Sequence, residues 1–452
     1  MVKSMTAGNP LKLILSFAIP IMLGNLIQQL YNFADSVMVG KLIGNEALGA
    51  VGSTGSIVFL ILGFINGISE GSCILVARYF GAKDYDTMKK CVCNIFYVLS
   101  ITVICVSVLS FTFSRDILEF MKSPEDIIDL ANGYIEIIYL GMFATMLYNL
   151  AAGLLRALGD SRSPLYFLII SAVLNVALNY VLIAIIPLGV RGAALATVIA
   201  QLFAAVCCII FIRKKCDLLR VERRHMRPNG RLIRQVCSMG LPMGLQYSIT
   251  AIGSVVLQSS INSLGSVAVT GYAAAEKILT PCWQMLNCAG VALANYCSQN
   301  IGAGNLARVK KGVKDAGGLI ILVGACVGAV LFFFGEYAAV IFLDEVNDEV
   351  MGYISTYFNI LAPLFVCLAA IGVFRNTVQG LGFSAPAMIS GVLELVGRCT
   401  LALVFVPIFG YAAACVASPT AWIMADILLI GLYFYAIRSL SKKHPGWCGK
   451  AV

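Results

Sequence analysis

GAKDYDTMKK, residues 81–90, returns as GAGNLARVKK at residues 302–311. Three further echoes follow in the same order and at nearly the same offset. IPIMLG (19–24) returns as LPMGLQ (241–246), and RALGDSRSP (156–164) as QGLGFSAP (379–386). PLGVRGAALA (187–196) has a looser counterpart in PIFGYAAACVA (407–417). An ordered set of echoes at near-constant spacing marks a duplicated structural unit. Each copy is long enough to form a lobe of its own.

What each copy contains follows from hydropathy. Sixty per cent of the 452 residues are hydrophobic and 12% charged, against roughly 45–50% and about 25% in an ordinary soluble domain. Apolar runs near the ~20 residues that cross a bilayer core occur at 13–35, 52–77, 92–113, 132–154, 164–186, 192–213, 235–257, 268–297, 316–334, 353–374, 386–406 and 411–437. The first continues directly as a span, unlike a cleavable signal peptide. These runs predict an all-α integral membrane protein with twelve transmembrane helices in two six-helix lobes. An even number of spans per copy starts both halves on the same side. The lobes are then related by a pseudo-two-fold axis along the membrane normal, a parallel-repeat transporter plan. The expected division is 1–213 and 235–438 for the lobes, 214–234 for a basic linker and 439–452 for a tail. No filter-like stretch favours a channel.

Basic residues set the orientation. Lys3, Lys12, Arg78, Lys83, Lys89, Lys90, Arg156, Arg162, Arg308, Lys310, Lys311 and Lys314 all fall on one side of this topology. So do the dense run from Arg213 to Arg234 and the terminal Arg438, Lys442, Lys443 and Lys450. The positive-inside rule places that side, with both termini, in the cytoplasm. Asp344, Glu345, Asp348 and Glu349 lie opposite. The net charge of +9 thus reflects membrane topology and an anionic inner leaflet rather than nucleic acid. Most of the sixteen cysteines fall within spans and read as small apolar residues. Cys91 and Cys93 lack a second pair or a nearby histidine, which argues against zinc.

The first span carries NLIQQLYNFADS (25–36). Asn25, Gln28, Gln29, Asn32 and Ser36 fall within roughly 60° of one line on a helix, with Asp35 at the edge. Such a stripe either lines a polar cavity or hydrogen-bonds neighbouring spans. Asp35 reads as functional, because a carboxylate at that depth is costly and can exchange a proton or hold a cation. Asn175 and Asn179, one turn apart in span 5, are placed to face it. Span 7 offers the neutral Gln246, Thr250 and Gln258. Glu394 and Arg398 in span 11 can pair along one helix face, and Arg375 can extend its head to the cytoplasm. Glu70 suits a solvated vestibule, Asp426 in span 12 is a further functional candidate, and Glu276 can pair with Lys277. No phosphate-binding loop for ATP is present, and no catalytic constellation adjoins the spans.

In order, AIPIMLGNLIQQLYNFADSVMVG, YFGAKD, LRALGDSRSP, LNVALNYVLI, GVRGAALATVIAQ, GLPMGLQYS, SQNIGAGN, QGLGFSAP and ELVGR resemble the multidrug and toxic compound extrusion (MATE) family over residues 10–437. The resemblance implies two six-helix lobes forming a V and efflux driven by inward H⁺ or Na⁺, with no cofactor. Asp35 matches the family's span-1 aspartate and Asn175 a network asparagine. Where bacterial members often carry an aspartate, this chain has Asn179, which leaves Asp35 the principal carboxylate. Acids that some members place in spans 7 and 10 are missing.

The expected function is therefore a secondary antiporter exporting small organic, cationic and amphiphilic compounds. It would act as a monomer in the inner membrane of a bacterium, with the lipid bilayer rather than nucleic acid as its surroundings. Two alternatives have different signatures. A lipid-linked oligosaccharide flippase of the same superfamily would favour a strongly basic cavity, whereas an intramembrane lipid enzyme needs a catalytic constellation.

Overall fold

The computed structural model describes residues 3–121, 124–343 and 347–447, and every regular element among them is helical. Asp344, Glu345 and Lys450, used in the charge pattern above, lie outside the described residues. Helices α1 (Pro10–Leu42), α2 (Asn45–Gly81), α3 (Tyr85–Thr112), a short α4 (Ser114–Phe120), α5 (Ile128–Ala157), α6 (Arg162–Tyr180) and α7 (Val190–Lys215) make up the first copy. The second holds α8 (Gly230–Asn262), α9 (Ser266–Gly302), α10 (Leu306–Gly312), α11 (Gly318–Ala339), α12 (Asp348–Leu361), α13 (Phe365–Gly380), α14 (Ser384–Thr400), α15 (Val406–Phe409) and α16 (Tyr411–Lys443).

Among the described residues ten helical stretches are long and apolar enough to cross a membrane, and α12 with α13, bent by 50°, make an eleventh. Pro363 lies at that bend, where it can neither donate a backbone hydrogen bond nor continue a helix. The 37-residue α9 has ample length, but Glu276, Lys277, Gln284, Asn287, Asn295, Gln299 and Asn300 dilute its hydropathy. With α9 counted, each of the twelve expected spans has a helix.

The duplication extends to backbone details that no hydropathy profile records. Gly44 and Gly265 precede α2 and α9 at φ 125° and 103°. Lys83 and Gly304 take left-handed conformations (φ 58° and 69°) at equivalent turns. Each is followed by a capping side chain: Asp84 accepts from the Thr87 N–H, and Asn305 from the Arg308 N–H. Asp and Asn suit this position because their short oxygens satisfy an amide that the helix leaves unpaired. Each copy also contains a five-residue π-helical stretch, Val181–Ile185 and Leu401–Phe405.

The chain forms two compact units. Unit 1 comprises Met1–Ser4 and Leu23–Gly244, and unit 2 comprises Met5–Met22 and Leu245–Val452. This differs from a division at 213 and 235 in two places. The first half of α1 belongs with the second copy, and the first half of α8 with the first. Both changeovers fall two residues beyond a helical proline, Pro20 or Pro242. A proline removes one i→i−4 bond and frees the helix to change packing partner there.

Small residues fix the α8 half that joins unit 1. A Cβ on Gly71 would sit 2.7 Å from the Met239 carbonyl, and one on Gly244 2.8 Å from that of Phe64. Such close backbone approach is how helices associate where no hydrophobic effect drives them together.

The segment expected as a linker is also docked on unit 1. Tyr97 Oη donates to the Met226 carbonyl at 2.7 Å, and the Asn229 N–H to Asn94 Oδ1 at 2.9 Å. His225, in a polar segment, is nevertheless fully buried. Its Nδ1 accepts from the Glu222 N–H at 3.0 Å, so Nε2 carries the proton and donates to Asp86 Oδ1 at 3.2 Å. The fifteen cysteines among the described residues are free thiols.

Between α5 and α6, Asp160 accepts from the backbone N–H groups of Arg162 and Ser163 and from the Ser163 hydroxyl at 2.7 Å. Burial is the largest single influence and works to raise this carboxyl, but the lowering interactions, the Ser163 bonds foremost, together hold the group below its ordinary value. A carboxyl lowered in this way stabilises the fold above its unfolded pKa, and the benefit is lost as pH falls through the folded value. Asp160→Asn should therefore melt lower than wild type at pH 7, with the gap closing below about pH 4; thermal melts in detergent across that range check this. In the same assay Gly71→Val or Gly244→Val should cost about 1–3 kcal/mol, the usual penalty for overpacking.

Candidate functional site

Unit 1 brings Asp35, Asn175 and Asn179 together. The Asn179 side-chain amide donates to Asp35 Oδ1 at 2.6 Å and to Asn175 Oδ1 at 3.2 Å. Asn175 in turn donates to Thr197 Oγ1 of α7 at 3.4 Å. Asp35, Asn175 and Asn179 are 9%, 2% and 0% exposed, so bulk water does not screen them. Both protons of the Asn179 amide are thus used, while its own Oδ1 is buried with no partner. The cluster holds more acceptors than donors, and a proton or a cation would correct that imbalance.

The rest of the first-span stripe is arranged differently. Gln29, Asn32 and Ser36 are exposed, and Asn25 and Gln28 half-buried. Asp35, at the edge of the stripe, turns inward instead. Gln29 and Asn32 are therefore not packed against neighbouring helices as amide glue. Thr197 was not anticipated, since a threonine in an apolar span ordinarily satisfies itself on its own helix.

Unit 2 has a larger buried polar cluster. Arg375 of α13 turns inward and pairs with Glu394 Oε1, instead of reaching toward the cytoplasm. It also donates to Ser390 Oγ at 3.3 Å. With the Gln246 amide turned so that its oxygen faces Arg375, that oxygen accepts from Arg375 Nε at 2.9 Å. The expected pairing of Glu394 with Arg398 along α14 is the longer one, 3.7 Å. Asp426 of α16 lies near enough for the charges of Arg375 and Glu394 to act on it, and its Oδ1 is buried without a hydrogen-bond partner. One helix's spacing could not reveal that Arg375, from another helix, reaches Glu394 first.

The remaining candidates stand apart. Thr250 Oγ1 donates back to the Gln246 carbonyl at 3.0 Å, and Gln258 donates to Asn262 at 2.9 Å, both along α8. Glu70 is half-buried on α2. Glu276 does not pair with Lys277. Its carboxylate accepts from the hydroxyls of Tyr357 (2.7 Å), Tyr272 (3.1 Å) and Thr280 (3.3 Å), while Lys277 Nζ lies 5.3 Å from the centre of the Phe342 ring. Adjacent residues on a helix point about 100° apart, which separates the two.

Removing one member of a buried pair leaves an uncompensated charge, at about 3–5 kcal/mol. Arg375→Gln should therefore destabilise the protein strongly, and Arg375→Gln combined with Glu394→Gln should recover most of the loss. Melting temperatures of the two single variants and the double variant, read as a mutant cycle, test this coupling.

Comparison with known proteins places this geometry in context. The MatE family model matches residues 20–181 and 242–404, one match in each copy of the repeat. "Probable multidrug resistance protein YpnP" of Bacillus subtilis is 29% identical over 405 residues, covering 89% of either chain. The multidrug export protein MepA of Staphylococcus aureus is 24% identical over 393 residues, 85% of this chain and 84% of that one. At the level of fold, an outward-facing multidrug resistance MATE family transporter of the MOP superfamily aligns with a TM-score of 0.89 at 22% identity, over 96% of this chain and 98% of the other. A MATE crystal structure in a bent conformation aligns equally well, with a TM-score of 0.89 at 21% identity and 98% of each chain covered. With its paired repeats each matched and its helices arranged as in these structures, the chain belongs to the MATE family: it is a multi-pass membrane transporter of small organic compounds, not an enzyme.

Proposed function

We propose that this transporter is a secondary antiporter that exports organic, cationic and amphiphilic compounds in exchange for inward H⁺ or Na⁺. Asp35 is the coupling carboxylate in this reading, with Asn175 and Asn179 as its hydrogen-bonding partners. The supporting observation is the surplus of acceptors: a buried carboxylate beside an unpartnered amide oxygen. An incoming proton or cation would fill that deficit, and its departure would restore it. The B. subtilis and S. aureus relatives, described as multidrug resistance and multidrug export proteins, support the substrate class.

The coupling logic is electrostatic. When Asp35 is ionised, its charge needs a counter-charge that the surrounding amides cannot supply. Neutralising it alters the hydrogen-bond demand on Asn179, and hence on Asn175 and Thr197 along α6 and α7. Those helices thus sense the state of the ion site. The exposed amides of α1, Gln29 and Asn32, are then cavity-lining groups, since a span does not present amides to lipid. The basic-residue pattern supports a bacterial inner membrane location with both termini cytoplasmic, and a monomer of two lobes suffices for the cycle.

Transport in proteoliposomes under separately imposed H⁺ and Na⁺ gradients tests the proposal. Asp35→Asn should abolish gradient-driven export of an organic cation while leaving the thermal melt within a few degrees of wild type. Export undiminished by that change would overturn it. Asn179→Asp, which adds a second titratable group, should alter the number of ions moved per substrate.

A further inference from the structure

The polar cluster of unit 2 contains an imbalance opposite to that of unit 1. Arg398 is 9% exposed, and a guanidinium carries five N–H donors, all needing acceptors where water is scarce. Its Nε is buried with no partner. Its Nη1 lies 3.5 Å from Ser254 Oγ, at the outer limit of a hydrogen bond, and its Nη2 3.7 Å from Glu394 Oε2. Glu394, the carboxylate that faces Arg398, gives its other oxygen to Arg375 at closer range.

We propose that Arg398 is the binding point for an anionic group, a carboxylate, sulfonate or phosphate borne by an amphiphilic molecule. Such an oxyanion presents two oxygens that can accept, side by side, the donors Arg398 leaves unused. Ser254 supplies access: it is exposed on α8 and its hydroxyl adjoins the guanidinium. That hydroxyl also donates to the Thr250 carbonyl at 3.2 Å, so it can turn to donate to an arriving oxyanion instead. The Arg398 stem passes Gly253 of α8 at van der Waals distance, 3.5 Å from where a Cβ would be. Arg375, held by Glu394, Ser390 and Gln246, remains a fixed part of the wall and keeps Glu394 from closing on Arg398. The site deepens the efflux reading by giving its cargo a second charged feature, and it rests on that reading only for the identity of the anion as cargo.

Equilibrium dialysis of labelled 2-naphthoate against the full-length protein in detergent tests the site directly. Binding should be saturable and displaced by unlabelled 2-naphthoate but not by the neutral isostere 2-naphthamide. Arg398→Gln should weaken it by about tenfold or more, the loss expected for a hydrogen-bonded charge pair, and Arg398→Lys should restore part of the affinity. Ser254→Ala removes the exposed hydroxyl that adjoins the guanidinium and should weaken binding by about threefold, the loss expected for one hydrogen bond. Equal displacement by the amide, or unchanged affinity in Arg398→Gln, would overturn the proposal. Should Arg398→Gln fail to fold, unchanged binding in Ser254→Ala overturns it instead. Gradient-driven export of tetraphenylphosphonium by wild type, measured alongside, separates the two ideas. Export without naphthoate binding rejects only the anion site, whereas naphthoate binding without export rejects only the antiport reading.

Discussion

In hydrocarbon, a polar side chain that the protein does not match has nothing else to match it. Most of what is distinctive in this molecule follows from that constraint. Its apolar helices are interchangeable in kind, and small residues let them approach closely, as Gly71 and Gly244 do between α2 and α8. The few polar groups cannot be interchanged. Each must find its complement from another helix, and where the complement is incomplete the structure carries an unmet demand for a proton, an ion or a ligand.

The two units answer the constraint with opposite chemistry on a shared backbone. In both, a π-helical stretch directly follows the helix that carries the polar pair: α6 with Asn175 and Asn179, and α14 with Glu394 and Arg398. A π-bulge shifts the register of the helix ladder and is often found beside functional groups. Around this common frame, unit 1 collects amides about one carboxylate and is short of donors. Unit 2 collects two arginines about one glutamate and leaves the second arginine short of acceptors. Duplication thus preserved turns, caps and helix lengths while the interior polar residues diverged.

Much of the first unit's site was legible in one dimension. Asp35 lay at the edge of a polar stripe, and Asn175 and Asn179 one turn apart in another span, so their meeting needed only that the two helices be neighbours. Thr197 was not legible, because nothing in its local sequence marks it as a partner. The second unit's cluster was read only in part. An i, i+4 spacing suggested Glu394 with Arg398, yet Arg375, 19 residues earlier, makes the closer contact. The pairing of Glu276 with Lys277 failed for a related reason, since neighbours in sequence diverge around a helix and tyrosines from two helices reached the carboxylate first.

By itself, the sequence determined the membrane-embedded helical class, the twofold duplication and the family. Those signals are local or periodic: hydropathy averaged over a span, glycines and capping residues at turns, and motifs recurring at a set offset. Tertiary structure alone decided which helix halves belong to which unit and which buried charges are paired. Both depend on how each helix is rotated about its axis and on how far a long side chain reaches across the gap to the next. A break two residues beyond Pro20 and Pro242 sends half of α1 and half of α8 to the opposite unit. The reach of Arg375 across α14 leaves Arg398 without a close acceptor.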